Sequence, residues 1–334
     1  MNRISLPAEV GRVRPLAGGG WWVTCRDDPQ HAVVLDDRLA EVRRLRVPLP
    51  PDVATYAVSP DAGLLAASGE DSVRVSGTNV DWSRQHGSWS DFPPGLGACA
   101  FSLDGTELWA TVRPVDQDEP DDEEDLDDED EDLHGEEGGG GWGDECWVLD
   151  AATGDVLART SVDSEMSYSQ LLAHPDGRHF AAVVSEGQDG SFGYWVRRDG
   201  NRLIKTPTDL TGRRDRLPVA VAPDGHHYLN QGWATLSTHS FPSAELIAER
   251  PAADVLLRGR PWNYVFDYYD PSTVLATLTD DGRATATVVL RAPSLEPLGE
   301  VEYPVPTRPR ALVSAGDGSW LTVEGIDVVR WSLG

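Results

Sequence analysis

One turn recurs along this chain and limits what it can fold into. It appears as Pro60-Asp61-Ala62-Gly63, Leu103-Asp104-Gly105, Pro175-Asp176-Gly177, Pro223-Asp224-Gly225, Asp270-Pro271-Ser272 and Gly316-Asp317-Gly318, each between two short apolar runs. Gly provides the positive φ that such a turn needs, and Pro or Asp starts it. From Asp61 to Asp104 is 43 residues, from Asp176 to Asp224 is 48, and from Asp270 to Asp317 is 47. A weaker seventh copy, Ala17-Gly18-Gly19-Gly20, lacks the Asp but precedes the expected second strand, Trp21 to Cys25. Nothing in the chain shows helical periodicity over three turns, so the reading is all-β.

The fullest unit spans residues 171 to 206. It contains a strand, the turn at Pro175-Asp176-Gly177, a second strand from His179 to Val184, a polar loop, and a hairpin about Asp199-Gly200. This is a four-stranded meander that cannot cover its own apolar faces. Third strands are matched at Ala32 to Leu35, Val73 to Val75, Cys146 to Leu149, Tyr194 to Arg197, Ala234 to Ser237, Val288 to Leu290 and Val328 to Trp331. Seven third strands make seven units. The last has no fourth strand, while Arg3 to Leu6 stands alone before the first unit, so a ring closed by lending this strand to the last unit explains both.

On this spacing the chain resembles a seven-bladed β-propeller of the broad WD40-like or YVTN-like kind over essentially its whole length. The Gly-His and Trp-Asp dipeptides of WD40 blades do not recur as a pair. The hairpin from Trp147 to Val156 is closer to the YVTN type. The resemblance implies a single propeller domain over 1–334, with four-stranded antiparallel blades and a ring closed by the N-terminal strand. It implies a shape and no chemistry.

Formal net charge is −28, but residues 116 to 137 hold 16 carboxylates and no Lys or Arg, leaving −12 for the remainder. Such like-charge density opposes collapse, so 114–143 is expected to be a disordered acidic insertion within the third blade. It joins strands two and three, which would place it on the face that carries the blade-to-blade loops. An acidic body argues against nucleic-acid binding. No stretch approaches a membrane span or an ordinary signal peptide. Cys25, Cys99 and Cys146 lack metal-ligand spacing and are expected as buried free thiols in a cytoplasmic protein.

Catalytic motifs are absent from the sequence: there is no Gly-x-Ser-x-Gly elbow, Walker lysine or His-Glu-x-x-His pair. The Gly95-x-Gly97-x-x-Ala100 pattern leads into a strand and is no dinucleotide fingerprint. His226 and His227 are adjacent and face opposite ways, and His174 is expected as a satisfied turn residue. No cofactor or metal is expected. The candidate protein-binding residues are in the inter-blade loops: Arg213, Arg214 and Arg216; Arg258, Arg260, Trp262 and Tyr264; Arg308 and Arg310; and Trp89 and Phe92. Exposed Arg beside Trp and Tyr is the composition of interface hot spots. The preferred function is a non-catalytic interaction platform, monomeric on its own, that meets a protein partner in a larger cytoplasmic assembly. The alternative is a ligand-binding or enzymatic propeller, lactonase-like or quinone-dependent, with a site at the central channel. The alternative requires polar residues on the inner strands, and runs such as Leu171-Leu172-Ala173 and Val219-Ala220-Val221-Ala222 are apolar.

Overall fold

A computed structural model describes residues 2–16, 19–26, 28, 31–46, 55–89, 96–115, 144–162, 168–185, 191–211, 216–232, 234–255, 262–280, 283–305 and 307–332. Seven four-stranded antiparallel meanders follow one another along the chain. Their first strands are Val10–Pro15, Thr55–Val58, Ala98–Phe101, Tyr168–Ala173, Leu217–Val221, Trp262–Asp270 and Ala311–Ser314. These are the inner strands of a seven-bladed β-propeller. The last meander is completed by Asn2–Ser5, which pairs antiparallel with Asp327–Ser332 through Arg3 opposite Val329 and Ile4 opposite Val328. The N-terminal strand therefore closes the ring as the spacing predicts, and the free edge of the last blade is covered.

The recurring Asp has one local job in six blades. An oxygen of its carboxylate accepts the backbone N–H two residues on: Gly63 from Asp61, Thr106 from Asp104, Arg178 from Asp176, His226 from Asp224, Ser272 from Asp270 and Ser319 from Asp317, all at 2.7–3.0 Å. Each bond fixes the turn between inner and second strand. Blade 1 lacks the Asp and manages with positive φ at both Gly19 and Gly20.

Because both faces of each blade are covered by neighbours, strands such as Trp21–Cys25 and His227–Gln231 are buried at every residue. The buried apolar residues fall into seven clusters, one for each junction between blades. Trp21 and Trp22 show how one strand serves two junctions. Adjacent on a strand, they point to opposite faces, Trp21 into the core with blade 7 and Trp22 into the core with blade 2. Six tryptophans, Trp21, Trp22, Trp109, Trp195, Trp262 and Trp320, are among the largest fully buried side chains. Each hides on the order of 200 Å². The three cysteines are buried free thiols.

Antiparallel order fixes two faces. The turns between first and second strands, and between third and fourth, lie on one face, the turn face. The second-to-third loops and the blade-to-blade connections lie on the other, the loop face.

Candidate interaction surface

The two strands joined by the acidic insertion, Glu107–Val112 and Glu145–Asp150, open onto the loop face where they meet it. Residues 116–143 lie outside the described residues, as does the expectation of disorder there. Their anchor is described. Asp144 is buried; its carboxylate accepts the Trp89 indole N–H at 3.3 Å and its carbonyl accepts the Val162 N–H at 2.8 Å. On the other side, the Gly87 N–H donates to the Arg113 carbonyl at 2.9 Å. The Trp89 ring lies over Gly97, where a Cβ would come within 2.6 Å of it and φ is +84°. Only glycine fits there, which gives Gly97 a packing role rather than a phosphate-binding one.

The candidate residues therefore separate. Trp89 and Trp262 are 3% and 2% exposed, against the expectation of exposed aromatics. Trp89 clamps the base of the insertion. Trp262 packs on Phe266 and donates its indole N–H to the Arg250 carbonyl at 3.2 Å. Flat apolar rings, whether at the start of an inner strand like Trp262 or in a blade-to-blade connection like Trp89, are drawn under the loops because that removes more surface from water than display would. Arg216 is also largely withdrawn, its side chain 11% exposed and ion-paired with Glu249. Arg310 is exposed but shares Glu9 with Arg26, while Arg308 is exposed with no ion pair among the described residues. Exposed Val305 and Val115 accompany them on this face. Arg213, Arg214, Arg258, Arg260 and Phe92 lie outside the described residues, as does the side chain of Tyr264.

The inner strands carry charges that sequence reasoning passed over. Arg12 and Arg14 both sit on the inner strand of blade 1 and are open to solvent. The Arg12 guanidinium lies 5.9 Å from the Tyr56 ring centre on the inner strand of blade 2. Desolvation pulls the Arg14 guanidinium below its ordinary pKa, Arg12 adds repulsion, and Asp267 opposes both. Asp267, on the inner strand of blade 6, is pushed up to about 6 by burial. The Tyr268 and Ser314 N–H groups, donating to its two oxygens at 2.8 and 2.7 Å, and Arg14 work against that rise. Ser314 belongs to blade 7, so this carboxylate ties two blades together. Alternation was the signal available: Val10-Gly11-Arg12-Val13-Arg14 sets two arginines two residues apart in a strand.

Histidine and cysteine chemistry is subdued. His174 is buried against Phe241, with ring centroids 3.8 Å apart, and its Nε2 lies 2.9 Å from the Gly225 carbonyl, a satisfied turn residue as expected. Burial raises the Cys99 thiol to about 11 and the Cys146 thiol to about 12. Among the described residues no group of His, Cys, Asp and Glu is arranged to hold a metal, and no helix is long and apolar enough to cross a membrane.

The fold has solved counterparts. The chain is similar to the β-propeller domain of Myceliophteria thermophila Cps50 (Swd1), with a TM-score of 0.64 at 10% identity, covering 100% of this chain and 99% of that one. The β-propeller fold inferred from the blade spacing therefore stands. No protein-family model matches the sequence, and no curated protein matches it.

Proposed function

We propose that the chain, acting as one propeller domain over residues 1–334, is a non-catalytic platform whose loop face receives a protein partner in a cytoplasmic assembly. The observation that carries this reading is the gathering of charge on that face. Strand direction puts the ends of Glu107–Val112 and Glu145–Asp150, which flank a segment with 16 carboxylates, on the same side as exposed Arg308 and Arg310. A planar guanidinium suits a protein interface better than a strongly hydrated ammonium. The turn face offers less, since the recurring Asp side chains there are engaged in their own turns.

Charge reversal on the two faces tests it. The double variant Arg308→Glu/Arg310→Glu is expected to lose the proteins that co-elute with the wild type from the native host. Arg178→Glu, exposed on the turn face, is expected to keep them. The converse pattern would sink the reading. A second reading, a ligand-binding propeller, is favoured by Arg12 and Arg14.

A further inference from the structure

We propose that the axis of the propeller holds a site for a small oxyanion, a carboxylate or phosphate group, gripped by Arg12 and Arg14. A bulge interrupts the pairing with Trp21–Cys25 between Val10 and Val13, and beyond it Val13 is buried while Arg12 and Arg14 on either side of it are both exposed, so the two arginines share the solvent side and the charge of Arg12 acts on Arg14. The sequence has 56 carboxylates for 28 Lys and Arg. Ten other described arginines form ion pairs with them. Neither Arg12 nor Arg14 forms one among the described residues. Asp267 is the facing carboxylate, and both of its oxygens already accept backbone N–H groups from blades 6 and 7. It steadies Arg14 at a distance without neutralising the pair.

The surroundings also suit a ligand. Inner strand packs on inner strand at six junctions, whereas those of blades 1 and 2 stand further apart among the described residues. Arg12 spans that wider junction to the Tyr56 ring, close enough to the inner strand of blade 3 to affect Cys99. Both arginines are reached by solvent, and the carboxylate that acts on Arg14 is that of Asp267 on the inner strand of blade 6. Forked N–H donors in such a setting match the two oxygens of a carboxylate or phosphate, and charge-assisted bonds of this kind are about twice as strong as neutral ones. An oxyanion bound there would offset the repulsion between the two arginines.

The test is calorimetric titration of the intact protein with inorganic phosphate and, separately, with succinate, at ionic strength held constant with sodium chloride. Saturable binding of at least one is expected; binding of phosphate alone or succinate alone identifies the preferred group. Arg12→Gln and Arg14→Gln should each weaken it about tenfold or more, the loss of one charge-assisted contact. Arg178→Gln should leave it unchanged. If Arg14→Gln does not fold, Arg14→Lys keeps the charge without the fork: weakened affinity supports the site, and undiminished affinity overturns it. The proposal is also overturned if neither anion binds saturably, or if Arg178→Gln weakens binding as much as the axial variants. Binding that appears only after residues 116–137 are replaced by a Gly-Ser linker would mean that the chain's own carboxylates fill the site, and would overturn it too.

Discussion

The junction between blades 3 and 4 and the junction between blades 1 and 2 are built on one topology but held by different forces. At the first, Trp109 stacks on Phe180 with ring centroids 4.4 Å apart, and Arg198 pairs with Glu107. There the outer strands Val156–Ser161 and Arg202–Lys205 touch through a parallel bridge at Arg159 and Arg202. At the second, the buried cluster is Trp22, Ala32 and Leu65, and along the inner strand lie Arg12 and Arg14, which form no ion pair among the described residues. Repetition fixes the ring, and the side chains then decide which junctions are apolar seams and which leave room for charge and water. A site for a charged ligand suits a junction of the second kind, where two arginines have no ion-pair partner among the described residues.

The largest test of this difference is core truncation. Trp109→Ala is expected to cost about 3–5 kcal/mol and Leu65→Ala about 2–3 kcal/mol, since the first removes a stacked ring from a dense seam and the second a smaller side chain from a sparse one. Urea unfolding with unchanged slopes would measure both. Equal losses would remove the distinction between the junctions.

Much of the ring was legible in the sequence because its turns carry a chemical mark. The Asp that bonds the N–H two residues on is visible as a letter at 43–48-residue intervals, except for the 72 residues from Asp104 to Asp176 that include the acidic insertion, and the strand lent to the last blade was visible as a missing fourth strand. Exposure was not legible. Trp262 and Trp89 look like display residues in a loop rich in Arg and Pro, yet burial of a ring depends on which neighbour covers it, and the covering residues are remote: Arg250 for one, Asp144 for the other. The axial charges were missed for a related reason. Arg12 and Asp267 are 255 positions apart, and only closure of the ring turns the inner strands of blades 1 and 6 toward a common axis.

Titration of Asp267 probes the charged side of the comparison. Its carboxyl sits at about 6 in the fold against an ordinary 3.8. As pH rises from about 4 to about 6, the unfolded chain therefore loses this proton while the folded chain keeps it. Stability falls across that window and levels off above it. The shift corresponds to as much as about 3 kcal/mol, and we expect about 1–2 kcal/mol because solvent reaches the axis. Asp176, exposed but partly desolvated, is held at about 2 against that desolvation by the Arg178 and His179 N–H groups and the His179 ring, and it works in the opposite sense, its contribution fading only as pH drops below about 4. The two windows do not overlap. Asp267→Asn should flatten the fall between pH 4 and 6 in denaturant melts, and a wild-type-minus-variant difference that stays constant from pH 4 to 7 would refute the assignment.

The smallest effect separates the arginines of the two junctions. Arg198 binds Glu107 through its Nε at 2.8 Å and a terminal nitrogen at 2.6 Å, with both side chains a third exposed or less. Arg198→Ala should cost about 0.5–1 kcal/mol in low salt, and less at 1 M salt, where the Debye length shrinks to about 3 Å. Arg12→Gln should cost less than Arg198→Ala in the absence of added anions. It gives up a contact with the Tyr56 ring worth about 0.5–1 kcal/mol at an accessible position, but it also removes the repulsion that Arg12 exerts on Arg14. Adding salt should bring the two variants together, because it weakens the attraction lost in one and the repulsion relieved in the other. If Arg12→Gln proves as costly as Arg198→Ala at low salt, Arg12 is held by a compensating partner, and the junction of blades 1 and 2 is as well satisfied as its counterpart.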